Sequence, residues 1–129
     1  MSVEIGMIPQ TETEFHMDVV KYLRLALRRD VVFHHSPNEG KHNVQYRVKQ
    51  KAMGMHPGWP DLEFMFKGQG FFIELKLPGG RLSANQLVCH RELSDARCPV
   101  VECFSLDEVI NVLGNWGLLK VPARAQRAA

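Results

Sequence analysis

Glu74 and Lys76 stand two residues apart in an apolar run, FFIELKL, and Asp61 follows Pro60 at the head of another, DLEFMF. Strands alternate with a period of two, so Glu74 and Lys76 share one face while Ile73 and Leu75 point to the other. Charges of both signs in a central strand are costly unless they have a task. The two runs, joined by KGQG, read as an antiparallel hairpin whose ends bring Asp61, Glu74 and Lys76 to one edge of a sheet. Paired carboxylates repel and raise each other's pKa unless a cation lies between them. Magnesium suits such a pair, because it prefers hard oxygen ligands and takes one or two carboxylates together with substrate phosphate oxygens. The backbone carbonyl of Leu75 is a further candidate ligand. Such an ion lowers the pKa of a bound water and offsets charge on a phosphodiester under attack. Lys76 would then orient or deprotonate that water, or steady the phosphate.

The elements that must hold these groups are legible in outline. Thr11 to Arg29 reads as a helix, with Phe15, Val19, Tyr22, Leu23, Ala26 and Leu27 at 3–4 spacing and Thr11 and Glu14 at capping-box spacing. VVFHH is a short strand ended by the turn-forming SPNEGKHN, and residues 44–53 form a polar helix before the breakers GMHPGWP. After the hairpin, PGG breaks the chain, and a helix runs from Ser83 to Ala96 with Ser83 and Gln86 again at capping-box spacing. PVVECF is a buried strand, and Ser105 opens a last helix carrying Val109, Ile110, Leu113 and Trp116. Phe71 to Phe104 thus forms a strand–helix–strand crossover. The expected fold is α/β, a mixed central sheet flanked by helices.

Proline–aspartate, a gap, then acid–x–lysine is the signature of the PD-(D/E)xK nuclease superfamily. The segments KAMGMHPGWPDLEFMF and FFIELKLPGGRLSANQ resemble the VRR-NUC (virus-type replication-repair nuclease) domain, with its K-x-x-G, G-x-P-D, E-L-K, P-G-G-R-L-S and following glutamine. HHSPNEGKH is similar to that family's histidine and basic loop. The resemblance runs from Glu14 to the last helix and implies a restriction-endonuclease-like core. It makes Asp61 and Glu74 metal ligands, Lys76 the catalytic lysine, Gln86 a glutamine lining the site, and Glu14 (or its rival Glu12) the first-helix glutamate. The cofactor implied is Mg2+ or Mn2+. The activity implied is that of a structure-selective DNA endonuclease, a homodimer acting on four-way junctions in repair or recombination of viral, prophage or bacterial DNA. A flap or single-strand nuclease with the same site, or a non-cleaving branched-DNA-binding module, are the alternatives. Two positions depart from the pattern: Trp59 replaces a small or aliphatic residue before Pro60, and His16 stands where glutamine is common.

Bland readings accompany the sharp ones. Glu14 and Gln86 each have a second role open to them as capping-box partners. Glu63 shares Asp61's face and reads as a surface or hairpin residue, and Trp59 reads as packing beside Pro60 with base stacking as the alternative. No histidine pair has the i, i+4 spacing of a helical metal site, so zinc is not expected.

The 129 residues fit one domain, with 122–129 as a frayed tail. Net charge is only +2, yet residues 28–56 carry six basic side chains against two acidic ones. His35, Lys41, Arg47, Lys49 and Lys51, with Arg81 after the GG pair, are the candidates for contacting DNA. No apolar stretch approaches the roughly 20 residues that span a bilayer. The acidic start lacks a signal peptide's features, so a cytoplasmic, intracellular protein is expected. Cys89, Cys98 and Cys103 lack paired zinc spacing and read as reduced thiols.

Overall fold

The computed structural model describes residues 10–37 and 43–121; Lys41 and the 122–129 tail lie outside them. The elements run α1 (Glu12–Ala26), β1 (Val32–His34), α2 (Val44–Ala52), β2 (Leu62–Phe66), β3 (Gln69–Leu75), α3 (Ala84–Asp95), β4 (Val100–Cys103) and α4 (Leu106–Trp116). The strands form one sheet in the order β1-β2-β3-β4. β1–β2 and β2–β3 are antiparallel. β3 and β4 run parallel, since Phe72 N–H donates to Pro99 O and Lys76 N–H, four residues on, to Cys103 O, also four on. The sheet is therefore mixed, as the sequence led us to expect.

Turn chemistry sets the hairpin register. Lys67 and Gly68 both have positive φ, 49° and 78°, the double left-handed loop whose twist matches its flanking strands. The loop is thus two residues long rather than KGQG, and Gln69 and Gly70 pair with Phe66 and Met65.

By compactness the chain divides into two units, 30–74 with 81–102, and a second made of the two ends with 75–80. In the first, Leu62 pairs with Ile73 and Phe64 with Phe71, giving an apolar sheet face in which Leu62, Phe64 and Ile73 are fully buried. The opposite face carries His34 opposite Glu63, and Glu63 opposite Phe72. Helix α2 has no buried residue, and the basic side chains Arg47, Lys49 and Lys51 are all exposed. In the second unit, α1 and α4 contact each other and bury Phe15, Val19, Leu23, Val109 and Leu113. Helix α1 stops at Ala26, short of the expected Arg29. Leu27 turns extended and bridges Leu119, while Arg28 N–H donates to Leu118 O and Lys120 N–H to Ala26 O. Tertiary backbone pairing there outweighs helix continuation.

All three cysteines are free thiols. Burial pushes Cys89 up to about 11 and Cys103 up to about 12, so both stay protonated at neutral pH.

The loop before Asp61 is seated on α3 through Gly58. Its φ is +78°, and a Cβ there would overlap the Asn85 carbonyl and lie 2.7 Å from the Gln86 nitrogen. Gly58→Ala should therefore lose at least about 2 kcal/mol, from left-handed strain of roughly 1–2 plus overlap of roughly 1–3. Gly68→Ala, with the same φ but open space around it, should lose only the backbone part. Urea unfolding of the two variants tests this, and equal losses would contradict the close approach.

Candidate active site

The last hairpin pair is Leu62 with Ile73, so Asp61 immediately precedes the paired part of β2 and Glu74 immediately follows it on β3. Asp61 is half-buried at the bend that precedes β2. His35 Nδ1 lies 2.7 Å from its backbone carbonyl; a carbonyl only accepts, so the imidazole donates and pins the bend. His35, expected to meet DNA, thus also holds the loop.

Glu74 is 1% exposed, the one charged residue among the described residues to be so enclosed. A buried carboxylate is tolerated only when hydrogen-bonded, and α3 supplies the partners. Gln86 Nε2 donates to Oε2 at 3.3 Å, and His90 Nε2 lies 3.1 Å from Oε1. An ionised carboxylate can only accept, so the His90 contact requires its proton on Nε2. Gln86 and His90 are four residues apart, one above the other on the helix face.

Gln86 also fills its other role. Its Oε1 accepts from Ser83 N–H at 2.8 Å and its own N–H donates to Ser83 Oγ at 3.2 Å. One amide closes the capping box with its oxygen and steadies Glu74 with its nitrogen. The cap fixes the rotamer that the acid needs.

Glu14 is exposed and completes a capping box with Thr11, accepting from Thr11 N–H at 2.9 Å and donating its own N–H to Thr11 Oγ1 at 3.0 Å. Lys76 is half-buried immediately past the end of β3, and Leu75 is buried. The chain then turns at Leu77–Gly80, closed by a 2.8 Å bond from Gly80 N–H to Leu77 O, with Pro78 and Gly79 (φ +86°) at the two central positions. Arg81 follows, exposed. His90 was missed by the sequence reading; its spacing of four from Gln86 was the available signal.

Around the loop before Asp61, Trp59 Nε1–H donates to Glu63 Oε2 at 2.9 Å, and the indole meets Phe72 edge-on with centroids 5.4 Å apart. Glu63 is therefore a partner of Trp59 as well as a hairpin residue. His56 contacts Pro57 O through Nδ1 (2.8 Å) and Glu92 through Nε2. Both partners are acceptors, an arrangement that favours a proton on each nitrogen. The Pro57 carbonyl, then the Glu92 carboxylate, raise its pKa above the ordinary value.

The donor set fits a hard divalent cation. Asp61 and Glu74 are hard oxygen donors of the kind Mg2+ takes one or two at a time, with waters completing its shell; among the described residues no cluster of three or more His, Cys, Asp or Glu side chains could hold a metal. A carboxylate offers about four acceptor positions, so protein donors can orient Glu74 and still leave it able to ligate.

Two measurements check these contacts. His90→Leu should cost about 1–3 kcal/mol by stranding a buried acceptor, and a double-mutant cycle with Glu74→Gln should show coupling above about 0.5 kcal/mol; strict additivity would contradict the bond. His56 should titrate above its ordinary value of about 6.5 by NMR. Because that pKa is raised, its stabilisation is complete below the ordinary value and is lost as pH rises through the folded one. A midpoint at or below the ordinary value would refute the cationic bridge.

A family model for the VRR-NUC domain matches residues 4–106. A solved structure named a VRR_NUC domain protein shares the fold with a TM-score of 0.66 at 22% identity, covering 83% of this chain and 88% of that one. No curated protein matches. The matched residues include Asp61, Glu74, Lys76 and Gln86, and the chain belongs to the VRR-NUC domain family, a nuclease family of the PD-(D/E)xK superfamily.

Proposed function

We propose that this protein is a divalent-metal-dependent endonuclease that hydrolyses phosphodiester bonds in branched DNA, working as a homodimer in the manner of a junction resolvase. The observation that carries the reading is Glu74 itself, a carboxylate buried in β3 and held by Gln86 and His90, one position past the last pair of the hairpin that Asp61 leads into. In this reading Asp61, Glu74 and the Leu75 carbonyl hold Mg2+ or Mn2+, with Glu14 as a further candidate. The ion, when bound, supplies Lewis acidity toward phosphate and water. Gln86 and His90 keep the Glu74 oxygens aimed, which preorganises the acid before substrate arrives. Lys76 Nζ steadies the phosphate or takes a proton from the attacking water. Arg47, Lys49, Lys51 and Arg81 are exposed and, with Lys41, supply phosphate contacts.

The dimer is the part that junction chemistry asks for, since paired cuts need two sites at fixed spacing. Helix α3 buries only Cys89 and leaves Leu87 and Val88 more than half exposed, an apolar surface suited to a second copy. Among the described residues no helix is long and apolar enough to cross a membrane.

The test is a panel of four-way junction, flap, nicked, linear and single-stranded DNAs with Mg2+ or Mn2+. The junction should be cut, chelation should stop cutting, and Asp61→Ala or Lys76→Ala should lower the rate at least about 100-fold with unfolding midpoints little changed. Cutting that survives both substitutions would end the assignment. Preference for flaps or single strands would favour that alternative, and binding without cutting in any metal would favour a non-cleaving module. Sedimentation at micromolar concentration should give a dimer; a monomer would remove the paired-cut element.

A further inference from the structure

Beside the loop that leads into Asp61 lies an open cleft of about 280 Å³ whose lining includes Pro37, Met55, His56, Trp59 and Glu63. None of these residues has a part in the chemistry proposed above. We propose that the cleft takes one unstacked nucleobase of the substrate strand, with preference for a base bearing an exocyclic amino group. This rests on the nuclease reading and adds a base-recognition subsite to it.

Size, charge and position agree. At about 280 Å³ the cleft is near the lower end of ligand pockets, at about 300 Å³. That suits a single flat heterocycle. Trp59, Met55 and Pro37 provide apolar and aromatic surface, and any base can stack on an indole. The indole is held in place, since its Nε1–H is committed to Glu63 Oε2 and its ring packs edge-on with Phe72.

Charge excludes a phosphate. Glu63 contributes a carboxylate to the lining, and His56, the one basic side chain among the described lining residues, is already paired with Glu92. A neutral ring fits where an anion would be repelled. Among the described residues Glu63 Oε1 takes no hydrogen bond, while Oε2 holds the indole. An acceptor-only oxygen there suits an N–H₂ donor such as the cytosine N4 or adenine N6 amino group, a pairing that carboxylates make. Thymine offers an N–H flanked by two carbonyl oxygens, which a carboxylate repels.

Position ties the cleft to the scissile bond. Glu63 lies two residues after Asp61, about 6.7 Å along a strand and on the same face, a separation that one sugar–phosphate unit can bridge. Trp59 lies two residues before Asp61 on the other side of Pro60. A base in the cleft would thus sit next to the phosphate presented to Asp61. It would have to be unstacked, which a branch point or single strand supplies at low cost.

Fluorescence of Trp59 tests this in the Asp61→Asn, Trp116→Phe protein, where it is the sole tryptophan. Oligo-dC should quench its emission at concentrations at least about fivefold lower than oligo-dT, and an abasic oligomer of equal length should bind by anisotropy without quenching. Glu63→Ala should bring dC and dT within about twofold. Independently, wild-type cutting of junctions with single abasic substitutions should fall most at one position beside the cut. Emission unmoved while oligomers bind, or quenching equal for dC and dT, would overturn the subsite, as would abasic substitution without effect. Those outcomes leave junction cutting by the wild type intact. Failure of the nuclease reading itself looks different: no DNA of any shape is cut.

Discussion

The arrangement depends on one buried carboxylate. Glu74 sits in a strand whose neighbours Phe72, Ile73 and Leu75 are all buried, and α3 helps an acid to be tolerated there by offering it two donors. Burial gives the group its use as well as its cost. Away from water, a carboxylate interacts more strongly with any cation brought to it, and it cannot swing out to be solvated. The helix that steadies it starts at a cap built from Ser83 and Gln86, so helix initiation and site geometry share a single side chain. A change at Ser83 or Gly58, neither of which need touch substrate, therefore reaches Glu74 through the placement of α3.

A second constraint runs through the hairpin. Lys67 and Gly68 hold the tight loop, the loop fixes the register, and the paired register ends at Leu62 and Ile73, next in sequence to Asp61 and Glu74. A slip of β3 by one residue would turn Glu74 to the apolar face. Apolar packing on the far side of the sheet, where Leu62, Phe64 and Ile73 are sealed, opposes such a slip. The acids are thus positioned by residues with no chemistry of their own.

Much of this was legible in the chain because it is local. The hairpin, the crossover to PVVECF, the helix starts and both capping boxes follow from spacing and turn chemistry, and GWPD, IELK and PGGRLS placed the candidate acids within them. What sequence could not supply was tertiary. His35 meets a carbonyl 26 residues away, His56 meets Glu92 across 36, and no periodicity signals either. His90 carried a weak helical cue, but a lone histidine on a helix is ordinarily just a surface or core residue. The end of α1 was overestimated because Ala26, Leu27 and Arg28 are drawn to the chain around Leu119, a pairing hidden from local propensity. Glu63 reads as a surface or hairpin residue; the hairpin placement holds, and its bond to Trp59 is set only by the fold.

The claim on which this account turns is that Asp61 and Glu74, from neighbouring strands, share one divalent ion. A crystal structure grown with Mn2+ and measured at the manganese edge tests it most directly. An anomalous peak is expected between the two side chains, with one oxygen of each at about 2.1 Å and Glu74 still bonded to Gln86 and His90. Carboxylates aimed at separate surfaces, more than about twice the span that shared coordination permits, or manganese bound elsewhere alone, would contradict it.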